Sequence, residues 1–314
     1  MDPRSALDGR ATGIMTILCL IWGLQQVVLK AAAPDITPLL QIALRSGVAA
    51  LLVGSVMLWR RERFNLTDGT WRPGLLVGGL FGLEFLLVGE GLRFTSASHM
   101  VVLLYTAPIF VALGLHWKLP AERLSPIQWL GIAMAFAGIA VAFFGRDQPA
   151  PGGEALDILW GDVLALLAGA AWGATTVVVR LSSLSRAPAT QTLLYQLAGG
   201  FVLLMLAAVA LGQTSFKPTP LAWGSLIFQS LVVSFASYLV WFWLLKYYLA
   251  SRLGVFSFLT PLFGMVFGVW LLNEPLESGF VAGTALVLSG VVLVSGYGWL
   301  KQRLLAAKGR VSSP

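Results

Sequence analysis

The feature that most constrains this chain is a succession of ten apolar runs, each close to the roughly 20 residues an α-helix needs to cross a bilayer. They cover 11–30, 37–59, 73–92, 97–117, 126–145, 158–181, 189–211, 221–245, 251–273 and 279–300. In lipid a backbone must satisfy its own N–H and C=O groups, so these runs predict an all-α polytopic membrane protein with ten transmembrane helices. The longest connection, around 146–157, holds Pro149, Pro151, Gly152 and Gly153. No connection accommodates a soluble domain, so the chemistry must lie within the bundle. Only 11% of the 314 residues are charged, against about 25% in soluble domains. That excludes a soluble enzyme, a nucleic-acid binder and a disordered chain. Segment 11–30 follows Arg4 and Arg10 and precedes Ala31-Ala32-Ala33, as a cleaved leader would. Asp2, Asp8 and Gln25-Gln26 oppose that reading, and the segment is expected to span.

The net charge of +7 gains meaning once placed along the chain. With ten spans, one side collects Arg4, Arg10, Arg60, Arg61, Arg63, Arg72, Lys118, Arg123, Arg180, Arg186, Lys246, Arg252, Lys301, Arg303, Lys308 and Arg310. The other collects Lys30, Arg93, Arg146 and Lys217, and Arg45 lies inside a span. Cationic loops stay cytoplasmic, so both termini are expected in the cytoplasm of a bacterial cell, with the chain in its inner membrane. The basic balance is a topology signal and points to no nucleic-acid partner.

The two halves of the chain match one another. At an offset of 150, Trp22-Gly23 falls on Trp172-Gly173, Val27-Val28-Leu29-Lys30 on Val177-Val178-Val179-Arg180, and Gln41 on Gln191. At 153, Leu92-Arg93-Phe94 meets Leu245-Lys246-Tyr247, Ala97-Ser98 meets Ala250-Ser251, Pro108 meets Pro261 and Trp117 meets Trp270. At 152, Gly131 and Gly138 meet Gly283 and Gly290. Each half holds five spans, an odd number, so the halves insert with opposite orientation. Residues 1–148 and 149–314 are thus expected to be two inverted five-helix repeats. Repeats of this kind let a midplane cavity open alternately to either side, which is the logic of secondary transporters.

These residues resemble the EamA-type branch of the drug/metabolite transporter superfamily. The resemblance rests on Trp22-Gly23 and Trp172-Gly173, on the Pro108 and Pro261 helices, and on Glu274-Pro275 followed by Gly283 and Gly290. The first half departs from the last pattern, with Pro120-Ala121-Glu122 in place of Asn273-Glu274-Pro275. The resemblance covers essentially the whole chain and looks most like bacterial amino-acid exporters of the YddG type. It implies ten helices, amino-acid export and a chain that works as a monomer, since both repeats are present.

Polar groups at membrane depth are informative because burying them is costly. Arg45 lies about eight residues inside the second segment and Glu84 about eight from the end of the third, so both sit roughly 12 Å below one surface. Equal depth on adjacent helices predicts an ion pair, either a lock between helices or a substrate-carboxylate or proton-coupling site. Glu90, near the end of the same helix, is expected to be solvated at the interface. Trp22 and Trp172 sit inside their spans and are expected to flank a central pathway. Trp59, Trp71, Trp117, Trp129, Trp160, Trp223, Trp270 and Trp299 suit interfacial anchors. Tyr105, Tyr195 and Tyr238 carry deep hydroxyls that need a wet cavity or a backbone carbonyl. Gln25, Gln26 and Gln196 suit an α-amino or carboxyl group, as does Ser237 beside Tyr238; interhelical hydrogen bonding is the alternative. Pro108 and Pro261 are expected to act as paired hinges, freeing the carbonyls of Leu104 and Ser257, or as static kinks. The glycine stripes 74/78/82, 169/173 and 264/268 read as close helix packing.

The sequence holds no phosphate-binding G-x-x-x-x-G-K-[ST] loop and no H-E-x-x-H. Cys19 is the only cysteine, and His99 and His116 are the only histidines. No cofactor, metal or enzymatic activity is expected. The leading expectation is a secondary transporter exporting amino acids, with a breadth that includes aromatic ones, or similar small metabolites. Organic-cation or drug efflux is the second transporter reading. A non-transporting membrane enzyme or assembly factor is the reading from another class.

Overall fold

A computed structural model describes residues 9–62, 69–118, 123–144, 154–248, 253 and 256–311. Expectations resting on Arg4, Arg63, Pro120-Ala121-Glu122, Arg146, Pro149–Gly153, Ala250-Ser251 and Arg252 lie outside the described residues, as do the side chains of Lys246, Trp299 and the C-terminal cations.

The chain forms helices α1 (Gly9–Ala32), α2 (Pro38–Trp59), α3 (Trp71–Gly91), α4 (Ala97–Leu104), α5 (Ala107–Lys118), α6 (Pro126–Phe144), α7 (Glu154–Leu181), α8 (Ala189–Ala210), α9 (Pro220–Ile227), α10 (Tyr238–Tyr247), α11 (Leu259–Leu272) and α12 (Ser278–Val311). A π-helical stretch, Phe228–Ser237, joins α9 to α10. The pair α4–α5 crosses as one span, and so does α9 through α10. Seven spans are long and apolar by themselves; the shorter apolar helices 126–142, 259–272 and 278–294 bring the number to ten. Local signals set the boundaries. Pro38 and Pro220 open α2 and α9, where a missing N–H costs nothing. The hydroxyls of Ser96 and Thr219 cap α4 and α9.

The outer face is apolar, as lipid demands, and the polar groups at membrane depth turn inward among a mostly apolar core. Leu51, Leu58, Trp59, Trp117 and Trp270 face outward, while Gln41, Arg45, Glu84, Asp162, Gln191 and Gln229 are buried. The other interfacial tryptophans with described side chains, Trp71, Trp129, Trp160 and Trp223, are exposed too.

The repeat is visible in the packing. On α6 and α12, Gly131 lies against Gly290 and Gly138 against Gly283. Since Gly131 corresponds to Gly283 and Gly138 to Gly290, the contact is isologous, as a two-fold axis requires. A Cβ on Gly138 would come within 2.6 Å of the Gly283 carbonyl oxygen, so these helices touch backbone to backbone. A Cβ on Gly23 of α1 would meet the α11 backbone at 2.8 Å, the Gly264 nitrogen. Its counterpart Gly173 of α7 is crowded the same way by Phe110, Ala107 and Val111 of α5. The Trp-Gly pair thus serves close approach to the proline helix of the opposite half. The remaining stripes behave alike, with Gly74 under the Tyr195 ring, Gly82 against Leu203 and Gly169 against the carbonyls of Leu103 and Leu104.

The prolines do not kink continuous helices. Helix α4 ends at Leu104, Tyr105-Thr106 form a turn, and Pro108 is the second residue of α5. Ser257-Phe258 likewise form a turn, and Pro261 is the third residue of α11. In a first helical turn the missing proline N–H has no partner to lose, so breaking and restarting costs less than kinking. The carbonyl of Leu103 is retained by Thr106, whose Oγ1 donates to it at 2.6 Å. Both interruptions fall at equivalent places in the two halves.

Candidate functional site

A layer of polar side chains crosses the bundle at one depth. Gln25, Arg45 and Glu84 each stand seven residues from the same end of α1, α2 and α3, and Gln229 stands nine from the start of α9. That is about 10–14 Å below the helix ends. The end in question, here called distal, is opposite to the one where α1 begins. Arg45 is 1% exposed. One terminal nitrogen, Nη1, donates to Gln229 Oε1 at 2.5 Å and to Gln25 Oε1 at 3.3 Å. Gln229 Nε2 in turn donates to the Gln25 carbonyl at 2.8 Å. The guanidinium lies 4.6 Å over the Phe85 ring.

The expected Arg45–Glu84 ion pair is not formed: among the described residues no carboxylate oxygen lies within 4.0 Å of Arg45. Glu84 precedes Phe85, and successive helical residues diverge by about 100°, so the ring that meets Arg45 turns the carboxylate aside. Glu84 still feels Arg45, Tyr105 and Tyr238 electrostatically. Gln26 is 1% exposed, and among the described residues neither its Oε1 nor its Nε2 has a partner. Arg45 Nε and Ser230 Oγ are likewise buried without partners among the described residues.

Toward the proximal side of this layer, Trp22 Nε1 donates to Ser237 Oγ at 2.9 Å and its ring meets Trp241 edge-on at 5.6 Å. Trp172 meets Tyr105 edge-on at 5.2 Å. Tyr238 packs half-buried against the same core. Trp22 with Ser237, Tyr105 with Trp172 and Gln25 with Arg45 thus form contacts near midspan, whereas Gln26 is brought to no described partner.

Tyr195 and Gln196 do not join them. The Tyr195 ring covers Gly74 at the α3–α8 contact, and its hydroxyl lies 3.5 Å from Thr70 Oγ1, near the proximal end. Gln191 Nε2 donates to the same Thr70 at 2.9 Å, while its counterpart Gln41 donates to Ser225 Oγ. Gln196 is half-buried and makes no hydrogen bond among the described residues. The sequence placed α8 residues by depth alone, and depth does not tell which face meets α3.

The distal end carries a second polar layer that ties the halves together. Asn273 adopts the left-handed conformation at φ 53° and ends α11, and Pro275 prevents its continuation. This turn directs Glu274 back over Gly268, where a Cβ would strike both Glu274 and Ser98. The Glu274 carboxylate accepts from Ala97 N at 2.7 Å, Ser98 N at 3.0 Å and Ser98 Oγ at 2.7 Å. It caps the N-terminus of α4, where free N–H groups and the helix dipole favour an anion. Beside it His99 Nδ1 lies 3.0 Å from both oxygens of Asp162, Thr95 Oγ1 donates to Asp162 at 2.5 Å, and the imidazole stacks on Phe280 at 3.8 Å. Lys30, expected among loop cations, is an internal member: its Nζ donates to the carbonyl oxygens of Thr95 and Leu92. Glu90, expected to be merely solvated, pairs with Arg93 at 2.8 Å and accepts from Gln213. Sequence reasoning missed Gln229, Ser230, Lys30 and Asp162. Their signal was the one that singled out Arg45, a polar residue in or at the edge of an apolar run.

No His/Cys/Asp/Glu cluster able to hold a metal occurs among the described residues. Residues 11–144 and, separately, 159–296 match the EamA-like transporter family. The chain belongs to this family. Relatives match about nine-tenths or more of its length. It is 26% identical to the uncharacterized transporter YoaV of Bacillus subtilis over 90% of this chain and 94% of the relative. It is 26% identical to a probable amino-acid metabolite efflux pump of Salmonella typhimurium over 96% and 99%. It is 25% identical to the uncharacterized inner membrane transporter YedA of Escherichia coli over 90% of each. A solved crystal structure superposes with a TM-score of 0.61 at 21% identity, covering 91% of this chain and 97% of the other. The EamA protein described here is thus a multi-pass membrane transporter of the drug/metabolite transporter superfamily, with two five-helix repeats and a small-molecule substrate.

Proposed function

We propose that this EamA protein is a secondary transporter exporting amino acids or similar small metabolites across the bacterial inner membrane by alternating access. In this reading both termini are cytoplasmic, residues 1–148 and 149–314 are the two inverted repeats, and the chain works as a monomer. The observation that carries it is the pair of stacked polar layers: a distal layer joining the halves and a midplane layer beneath it, between repeats whose proline helices each begin just after a turn. Alternating access needs contacts across one face that can be exchanged for contacts across the other. The midplane layer holds one buried guanidinium and one buried carboxyl group, which suits a zwitterion better than a single-charged solute. The amino-acid metabolite efflux relative points to the same substrate class. Organic-cation efflux is the second reading, because Glu84 is not neutralised by an ion pair and aromatic faces lie near. Uptake of labelled amino acids and organic cations into proteoliposomes, with and without a proton gradient, separates the two. Amino-acid flux is expected; flux of cations alone would overturn the leading reading.

A further inference from the structure

Arg45 and Glu84 are left in an unusual condition. Arg45 is fully enclosed, yet its two hydrogen-bond partners are neutral amide oxygens and its Nε has none. A guanidinium offers five N–H donors in a fork suited to a carboxylate. Glu84 is 5% exposed and makes no hydrogen bond or ion pair among the described residues. A guanidinium and a carboxyl group therefore lie buried at one depth, with no ion pair between them among the described residues. Next to their partners in sequence stand two further unsatisfied groups, the Gln26 amide beside Gln25 and the Ser230 hydroxyl beside Gln229. Buried polar groups are ordinarily paired, so orphans at similar depth on α1, α2 and the π-helical stretch call for a polar partner.

We propose that Arg45 and Glu84 form a receptor for the α-carbon end of an amino acid, Arg45 taking the carboxylate and Glu84 the ammonium group. This rests on the amino-acid reading and sharpens it to recognition of the zwitterion rather than the side chain. A carboxylate alone leaves Glu84 uncompensated, and an organic cation alone leaves Arg45 so. Only a solute carrying both charges relieves both. The two charges sit on α2 and α3 of one half, while Gln229 reaches in from the other. Binding therefore bridges the halves at the level where they must exchange contacts.

The test uses purified protein in proteoliposomes and three probes: L-phenylalanine, its methyl ester and 3-phenylpropionate. Each is measured for thermal stabilisation of the protein and as a competitor of labelled L-phenylalanine and L-leucine uptake. The amino acid should bind at least about tenfold more tightly than either analogue, the factor expected for losing one charge-assisted contact. Arg45→Gln should erase the preference over the methyl ester. Glu84→Gln should erase the preference over 3-phenylpropionate. Arg45→Lys should retain part of the first preference. The analogue profile of the native chain is decisive even where a variant fails to fold. Transport of L-phenylalanine with either analogue binding within about threefold of it overturns this assignment and leaves the export reading intact. Absence of both binding and flux for L-phenylalanine and L-leucine overturns the two together.

Discussion

At the distal end Glu274 accepts three hydrogen bonds, and Asp162 faces both His99 and Thr95. Several residues deeper, Arg45 rests on neutral amides, and the Gln26 amide meets no partner. Both layers are buried, and both draw residues from the two halves. They differ in completion. A satisfied buried network fixes one geometry. An unsatisfied one is costly until something arrives to complete it. On the proposed reading the distal layer is a latch and the midplane layer a seat, and the two respond differently to substitution.

The largest effect is expected at the seat. Arg45→Gln keeps hydrogen-bonding capacity but removes the charge, and amino-acid flux should fall at least about tenfold while the melting temperature changes little. A large loss of stability with flux per folded molecule preserved would show that Arg45 is a structural lock. Glu274→Gln should act the other way. It turns one acceptor against the α4 N–H groups, and destabilisation of about 1–3 kcal/mol is expected. A cysteine at Thr95, in a Cys19→Ser background, should then become more reactive toward a membrane-impermeant maleimide. Unchanged reactivity would break the latch interpretation. The smallest effect is expected at Tyr195→Phe, whose hydroxyl makes a long 3.5 Å contact to Thr70. Stability within about 0.5 kcal/mol and undiminished flux are expected there. A severalfold drop in flux would return Tyr195 to the pathway.

Much of this was legible in the sequence, because lipid imposes simple rules. Span length follows from bilayer thickness, and the glycine offsets record backbone contacts that no other residue permits. Gly131, Gly138, Gly283 and Gly290 marked equivalent places in the two halves; that they meet one another across a two-fold seam is visible only in the fold. Depth was legible as well, which is why Arg45 and Glu84 emerged together. Azimuth was not. Counting residues from a helix end cannot tell that Phe85, rather than Glu84, meets Arg45, nor that Tyr195 faces α3. The π-helical stretch that brings in Gln229 shifts the helical phase and defeats periodicity altogether. Lys30 looked like a loop cation because its partners are backbone carbonyls, which carry no sequence signature.

The central claim is that the distal latch must open for transport. Ser98 and Glu274 replaced by cysteine in the Cys19→Ser background can be joined by a short bis-methanethiosulfonate cross-linker. The account predicts that amino-acid flux stops when the two are joined and returns on reduction. Undiminished flux through quantitatively cross-linked protein would contradict it.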